Sequence, residues 1–239
     1  NDDSLDLDQL TACGPLSNGA VKIFVAVADV DVLVKKNSAI DQHAHTNTTS
    51  VYTSARVFPM LPERLSTDLT SLNPGEERLA IVTEMVVDVE GAVTHSTVHR
   101  ARVRNQAKLA YDAVAAWIEG EGDLPEAARV VPGMDEQLRI QDAVAQRMRA
   151  RRRAAGSLDL ETFQPRAVFD GDRVVDIRQQ AQNRARQLIE EFMIATNTCT
   201  AQFLAQHGGG ALRRVVRSPE RWLRIVEVAS KYGEALPKE

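Results

Sequence analysis

Four aspartates lie close together at the start of the chain. The first residues read NDDSLDLDQL and place carboxylates at Asp2, Asp3, Asp6 and Asp8. Carboxylates at this spacing raise one another's pKa and repel, so an ordered segment of this kind needs a cation among them. A hard divalent cation such as Mg²⁺ prefers carboxylate oxygens and keeps several waters, which a few aspartates in one short loop can accommodate. The alternative is an acidic, solvated terminus, and the spacing alone leaves both interpretations open.

The chemistry that such a metal site favours is phosphodiester hydrolysis. Two metal ions a few Å apart stabilise both the attacking and the leaving oxygen of that reaction. The acidic segment lacks the Gly and the terminal Glu of an EF-hand calcium loop. The sequence also carries no serine nucleophile elbow and no glycine-rich phosphate loop after a strand.

Histidines offer a second possible metal site. His43 and His45 would share one face of a strand, an arrangement that suits zinc. His95 and His99 lie four positions apart in a predicted strand. No cysteine joins either pair at ligand spacing, so surface or core histidines are the favoured interpretation.

A run of arginines closes a predicted helix over residues 134–156. The run consists of Arg147, Arg149, Arg151, Arg152 and Arg153. Cations at a helix C-terminus interact favourably with the helix dipole, which gives the run a structural explanation. Arginine also pairs bidentately with phosphate, so Arg149 and Arg152 are candidate contacts to a nucleic-acid backbone.

Composition indicates an ordinary globular protein. The 239 residues are 44% hydrophobic and 26% charged, with a net charge of −4. That length suits one large domain or two small ones, and that charge argues against a protein that binds nucleic acid by bulk electrostatics. No apolar run approaches the ~20 residues of a membrane helix, so no membrane partner is expected. Cys13 and Cys199 are too few and too distant for a disulfide framework, which favours the cytoplasm.

The elements that must position these residues follow an α+β order. The pattern predicts strands over 21–30 and 50–58, and a hairpin formed by 79–89 and 92–104. A second predicted hairpin spans 167–178, with its turn at Asp170-Gly171.

Helices are predicted between and after these strands. They cover 107–119, 134–156 and 180–210, and a last helix starts with Ser218 as N-cap and Pro219 at its first position. The Gly- and Pro-containing segment 120–133 is the best candidate for a linker.

Several motifs together resemble a known family. The segment 46–80 contains Tyr52, then FPMLP, then LSTDLTSL; VAVADVDVLVKKNSAID precedes it, and GSLDLE and LIEEFMIATN follow. In this order and spacing they resemble the RNB catalytic domain of the ribonuclease II/R family. The resemblance runs from residue 1 to about 235 and implies an α+β RNB-type catalytic domain with a mixed or antiparallel sheet and packed helices.

The resemblance implies a domain over 1–239 that is incomplete at both ends. The family's aspartate cluster, D-x5-D-x-D-D, would begin one residue before Asn1. The family's later arginine segment has no counterpart after Leu212. We therefore expect flanking cold-shock and S1 barrels in the parent chain, and an isolated chain that folds poorly or is nearly inactive. No pattern indicates an oligomeric state.

The same resemblance implies roles for the acidic segment. Asp6 and Asp8 match the second and third aspartates of the cluster and would hold Mg²⁺. Gln9 falls on the fourth, where its amide can hydrogen-bond a metal-bound water or a phosphate but brings no charge. Asp2 and Asp3 are lesser candidates for metal ligands, because placing them as the paired aspartates requires an insertion.

Two further side chains take implied roles in RNA binding. Tyr52 matches a tyrosine that stacks on the 3′-terminal base, and the alternative is an ordinary core aromatic. Glu191 matches a glutamate that contacts the ribose near the 3′ end, and the alternative is a salt bridge to an arginine.

These roles imply a cytoplasmic, Mg²⁺-dependent 3′→5′ exoribonuclease. It would hydrolyse single-stranded RNA to nucleoside 5′-monophosphates. The alternative suggested by Gln9 is a catalytically weak or inactive RNA-binding module on the same fold. An acidic interaction domain that binds no RNA is a third possibility.

Overall fold

A four-stranded antiparallel sheet organises the larger part of the molecule. The computed structural model describes residues 4–53, 56–158, 165–171, 173–179, 182–212 and 220–237. Two units divide the chain, residues 1–203 and residues 204–239. The sheet of the first unit has the order β1 (Gln9–Pro15), β2 (Val21–Ala28), β5 (Glu77–Val87) and β6 (Val93–Arg104).

The sheet buries one face against two long helices. These are α4 (Met134–Ala154) and α5 (Arg184–Gln206). The apolar run of β2 alternates its side chains across the strand and places Ile23 and Val25 in the core, where both are fully buried. Phe192 of α5 is fully buried in the same cluster. Burial of this shared apolar face is what holds the sheet and helices together.

Helix α4 also satisfies the outer edge of β1. The side-chain amide of Gln137 donates to the carbonyl of Cys13 at 2.8 Å and accepts from the Cys13 N–H at 2.8 Å. The Thr11 hydroxyl donates to Oε1 of Gln141 at 2.6 Å. Backbone groups at a strand edge need such partners when they are buried, so the edge strand is fastened to α4 by side-chain amides.

A glycine allows the turn between β5 and β6 to lie against α4. Gly91 has φ +81°, and a Cβ built on it would lie 2.6 Å from the carbonyl carbon and oxygen of Arg147. Only glycine meets both conditions, because φ in this range and so close an approach each disfavour a side chain.

Smaller elements complete the first unit. They are α1 (Ala39–Asn47), β3 (Val51–Tyr52), β4 (Val57–Phe58), a π-helical turn (Leu65–Leu69), α2 (Tyr111–Glu119), α3 (Glu126–Arg129), β7 (Pro165–Asp170) and β8 (Arg173–Gln179). The second unit contains α6 (Trp222–Lys231), where the indole N–H of Trp222 donates to the carbonyl of Pro237 at 3.0 Å.

The expected α+β class is confirmed, but one strand prediction was wrong. Residues 50–58 form the two short strands β3 and β4 rather than one strand. The chain reverses where the Thr53 N–H donates to the Arg56 carbonyl at 3.1 Å and the Thr53 hydroxyl accepts from the Arg56 N–H at 3.0 Å. A side chain that bonds the backbone in this way favours a turn over a continuous strand.

The strand considered for His43 and His45 was also wrong, because both lie in α1. Ser38 caps that helix by accepting a hydrogen bond from the Asp41 N–H at 3.2 Å. In α1, His43 contacts the Asn47 amide at 2.9 Å. A zinc site built from one strand face is therefore excluded.

Other helix boundaries differ from the predicted ones by a few residues. The helix predicted over 107–119 begins at Tyr111, and the helix predicted over 180–210 spans α5. The predicted linker contains α3, whose Ala128 is fully buried, so it is packed structure. Ser218 and Pro219 lie outside the described residues. In the described ranges, none of the helices has the length and apolar character needed to cross a membrane.

Candidate functional site

The backbone of the acidic segment is held by hydrogen bonds to two distant parts of the chain. The Leu7 N–H donates to Oγ of Ser71 at 2.9 Å, and the Leu72 N–H donates to the Leu7 carbonyl at 2.9 Å. The Ala28 N–H donates to the Asp8 carbonyl at 2.9 Å. Because these hydrogen bonds fix the backbone of the segment, they also fix the directions in which its side chains leave the backbone.

The support for this segment comes from the LSTDLTSL motif. Ser71 and Leu72 are almost fully buried at its end. The Thr70 hydroxyl donates to the Leu65 carbonyl at 2.8 Å and closes the π-helical turn, while the side-chain amide of Asn105 donates to the Leu72 carbonyl at 2.8 Å. The structural role of this motif is therefore to position the aspartates.

A lysine supplies positive charge at the start of the segment. Nζ of Lys108 donates to the Ser4 carbonyl at 2.6 Å. Like charges in a short segment require a cation nearby, and this ammonium meets part of that need. Lys108 was not a candidate from the sequence, because one lysine far along the chain gives no spacing signal.

Asp6 and Asp8 form the acidic pair of the site. Asp8 is exposed by its accessible surface, yet partial burial of its carboxyl raises the pKa of that group, and the charge of Asp6 raises the pKa further. A raised carboxyl pKa is common at sites that bind cations or do acid–base chemistry. Asp2 and Asp3 lie outside the described residues.

This pair fits Mg²⁺ as a ligand set. Proteins commonly hold Mg²⁺ through one or two carboxylates, with waters and substrate phosphates as the other ligands. In the part of the chain that the structure describes, no group of three or more His, Cys, Asp and Glu side chains is placed to bind a metal. The role of Asp6 and Asp8 as metal ligands remains a prediction.

Gln9 adjoins the pair as the first residue of β1. It is half-buried and lies opposite Val27 in the register of the sheet. Its backbone is thus fixed by strand pairing beside Asp8. The role of its amide in the site remains a prediction.

Tyr52 joins the acidic pair from hairpin β3–β4. Its hydroxyl donates to Oδ2 of Asp6 at 3.3 Å, while 66% of the residue remains exposed. Partial burial and then the Asp6 carboxylate raise the pKa of this phenol. Tyr52 is therefore not a core aromatic, and its ring is accessible for stacking.

Tyr111 is a neighbour of the acidic pair that sequence reasoning missed. Burial raises the pKa of its phenol; Arg186 lowers that pKa and Asp8 raises it. The Arg186 guanidinium lies 4.8 Å from the centre of the Tyr111 ring. The sequence signal was an aromatic near the start of a predicted helix, which is too common to single out a site.

Glu191 and Arg152, both predicted to contact RNA, contact each other. Nε of Arg152 donates to Oε2 of Glu191 at 3.1 Å and Nη2 donates to Oε1 at 2.6 Å. Arg152 also donates to the Ser157 hydroxyl. Glu191 is only 3% exposed, so the salt bridge considered for it is present. The ribose contact of Glu191 and the backbone contacts of Arg149 and Arg152 remain predictions.

Comparisons with known proteins give a consistent result. The family model for the RNB domain matches residues 1–232. The chain is 33% identical over 219 residues to Ribonuclease R of Vibrio parahaemolyticus, and 33% identical over 239 residues to Ribonuclease R of Escherichia coli. These matches cover 91% and 99% of the chain but 26% and 29% of the relatives. The chain thus spans less than a third of the length of these curated relatives.

A solved structure shares the fold. Mycoplasma genitalium RNase R, in complex with ribose methylated single-stranded RNA, is 27% identical to the chain with a TM-score of 0.85. The match covers 99% of the chain and 37% of that protein. The RNB-type architecture expected from the sequence is therefore confirmed.

Proposed function

This chain belongs to the RNB domain family, and we propose from that membership that the full-length protein degrades single-stranded RNA from the 3′ end and releases nucleoside 5′-monophosphates. The curated relatives are ribonucleases R, and the M. genitalium enzyme has been solved with RNA. The direction of degradation, the product and the metal are parts of the proposal.

The observation that best supports this function is the contact between Tyr52 and Asp6. The hydroxyl of an exposed tyrosine thus lies within hydrogen-bonding distance of Asp6, one member of the acidic pair. A ring of this kind can stack on any base, because every base has a π face. A pair of carboxylates can hold a cation that stabilises the attacking and leaving oxygens of phosphodiester hydrolysis. The proximity of Tyr52 and Asp6 supports a nuclease that recognises RNA without sequence preference.

Each residue has a distinct task in this proposal. Asp6 and Asp8 would hold Mg²⁺, which when bound supplies charge neutralisation at the phosphodiester and a water of lowered pKa. Tyr52 stacks on the 3′-terminal base and orients the terminal nucleotide. Gln9 offers a neutral amide to a phosphate oxygen or a water. Lys108 holds the start of the acidic segment through Ser4.

The modest net charge agrees with this mode of binding. At −4 the chain has no overall attraction for phosphate. Affinity would come from stacking and from local contacts to the backbone, which do not depend on the base sequence.

The proposal is tested with the full-length protein and 5′-labelled single-stranded RNA. We expect a ladder that shortens from the 3′ end in Mg²⁺, no shortening in EDTA, and loss of the ladder in Asp8→Asn. Asp123→Asn is the matched control, because Asp123 is an exposed aspartate in the loop before α3. An equal ladder in Asp8→Asn and wild type would refute the assignment of Asp8.

A second candidate function is RNA binding without hydrolysis. Gln9 favours it, since an uncharged amide lies where the family places a fourth aspartate. This function predicts RNA that shifts on a gel in both Mg²⁺ and EDTA and is never shortened. Gln9→Asp would then be the variant to examine for restored hydrolysis.

A further inference from the structure

Hairpin β3–β4 exposes apolar side chains on both of its faces. The register pairs Val51 with Phe58 and Tyr52 with Val57. Partners in a cross-strand pair lie on the same face of a hairpin, and successive residues lie on opposite faces. One face therefore carries Tyr52 and Val57, and the other carries Val51 and Phe58. All four side chains are about half exposed or more.

So much exposed apolar surface on so small an element requires a partner. An isolated two-stranded hairpin is marginally stable in water, and clustered exposed apolar side chains commonly mark a binding site. The Tyr52 face contacts Asp6 and has a ligand in the proposed function. The face of Val51 and Phe58 has no part in that function.

An arginine gives this second face its chemical character. The guanidinium of Arg56 lies 5.3 Å from the centre of the Phe58 ring. Thr53 fixes the Arg56 backbone from both sides, because its hydroxyl also donates to the Arg56 carbonyl at 2.7 Å. At the base of the hairpin, the Met60 N–H donates to Oγ of Ser50 at 2.9 Å. The Phe58 ring and the Arg56 guanidinium therefore lie together on a hairpin that hydrogen bonds hold at both of its ends.

A nucleotide matches this combination of groups. The base has a π face that stacks on an aromatic ring or on a guanidinium, and the phosphate attached to it pairs with arginine. An apolar protein segment would match the ring but would leave the guanidinium without a negatively charged partner. The charge of Arg56 thus favours RNA over a protein segment as the occupant.

We propose that Val51, Arg56 and Phe58 form a second binding site for single-stranded RNA, on the opposite side of the hairpin from Tyr52. The site takes one unpaired nucleotide, with the base against Phe58 and the phosphate at Arg56. The inference rests on the proposed function, because it assigns a further part of the same RNA substrate to this face.

Binding is measured with the full-length protein in EDTA, using a fluorescent oligouridylate that cannot be hydrolysed without metal. Phe58→Ala and Phe58→Leu should each weaken binding by about 5- to 150-fold, the range for losing one stacked base. Phe58→Trp should retain affinity. Arg56→Ala should weaken binding and lower its salt dependence. Phe169→Leu, a change at another exposed phenylalanine, is the matched control and should bind as the wild type does.

Photo-crosslinking tests the same site without relying on substitutions that could disturb folding. Oligouridylate containing 5-iodouridine should crosslink to Phe58 in the wild type and still do so in Tyr52→Ala. Full affinity in Phe58→Leu, with loss only in Phe58→Ala, would show that this face contributes apolar bulk and not base stacking, which would overturn the proposal. The absence of any crosslink at Phe58 would likewise overturn the proposal.

The two proposals fail in different ways. If the wild type shortens RNA in Mg²⁺ while every Phe58 variant binds normally, the second site is wrong and the exonuclease stands. If the wild type crosslinks at Phe58 but never shortens RNA, the second site stands and hydrolysis is wrong.

Discussion

The hydroxyl of Tyr52 donates to Oδ2 of Asp6 at 3.3 Å. The two residues belong to separately supported structures, since Tyr52 comes from hairpin β3–β4 and Asp6 from the segment held by Ser71. The contact fixes the proposed position of the terminal base relative to the proposed position of the cation. Ring and hydroxyl of Tyr52 should therefore have separable effects.

Tyr52→Phe removes the hydroxyl and keeps the ring. In EDTA we expect it to bind oligouridylate within roughly twofold of the wild type, because stacking is preserved, whereas Tyr52→Ala should bind about 5- to 150-fold more weakly. The Mg²⁺ concentration needed for half-maximal hydrolysis should rise in Tyr52→Phe, and terbium luminescence should report weaker cation binding. An unchanged cation affinity would show that the hydroxyl does not orient Asp6.

Asp8→Asn should stabilise the metal-free protein at neutral pH. The folded protein raises the pKa of Asp8 above its ordinary value of 3.8. A carboxyl of this kind contributes its stability below the unfolded pKa and loses it as the pH rises through the folded pKa. In EDTA, the free energy of unfolding measured with urea should therefore rise for Asp8→Asn relative to the wild type as the pH goes from acid to neutral.

The same experiment compares Asp8→Asn and the wild type with and without Mg²⁺. Addition of Mg²⁺ should stabilise the wild type and have less effect on Asp8→Asn, because a ligand that binds the folded state shifts its stability. Asp123→Asn should follow the wild type throughout. A variant less stable than wild type at neutral pH in EDTA would contradict the burial argument for Asp8.

Gly91→Ala should destabilise the protein by about 2 kcal/mol or more, because it adds a clash with the Arg147 backbone to the cost of a positive φ. Gly75→Ala is the matched control, since Gly75 has φ +79° and a Cβ there meets nothing within 4 Å. It should cost roughly 1–2 kcal/mol from conformation alone. If the two variants lose the same free energy of unfolding in urea, the turn of Gly91 moves away from α4 at little cost.

Breaking the pair of Arg152 and Glu191 should be costly. Glu191→Ala removes the bidentate partner of a guanidinium that is 26% exposed and keeps its bond to Ser157, so the cost should lie at the lower end of the about 3–5 kcal/mol typical of a broken buried pair. The double substitution with Arg152→Ala should cost less than the sum of the single ones. Glu190→Gln changes the exposed neighbouring glutamate and should alter stability by less than roughly 0.5 kcal/mol.

This substitution also tests the ribose contact predicted for Glu191. If Glu191 leaves Arg152 to contact RNA, Glu191→Gln should weaken binding of RNA more than binding of DNA. A loss of stability with no change in that preference would assign Glu191 a structural role alone.

Local patterns predicted the regular elements well. The hairpin of β5 and β6 and the helices α4 and α5 were recovered within a few residues, because alternation and helical periodicity act over short distances. The split of residues 50–58 was missed, since the hydrogen bonds of Thr53 to Arg56 are not visible in hydrophobic periodicity.

The site was only partly predictable for a related reason. Asp6, Asp8 and Tyr52 were assigned from family motifs, and the structure places Tyr52 against Asp6. Lys108 and Ser71 were not assigned, because they reach the acidic segment across 104 and 64 positions of sequence. Contacts at such separations depend on the completed fold and have no local spacing rule.

The anchoring of the acidic segment also bears on when the site can form during synthesis. The aspartates leave the ribosome before Ser71, Leu72 and Lys108, which lie later in the chain. Until those residues have emerged and folded, the aspartates belong to an unconstrained acidic peptide that cannot present a fixed pair. A fixed acidic pair can thus form only after the chain has been synthesised at least as far as Lys108.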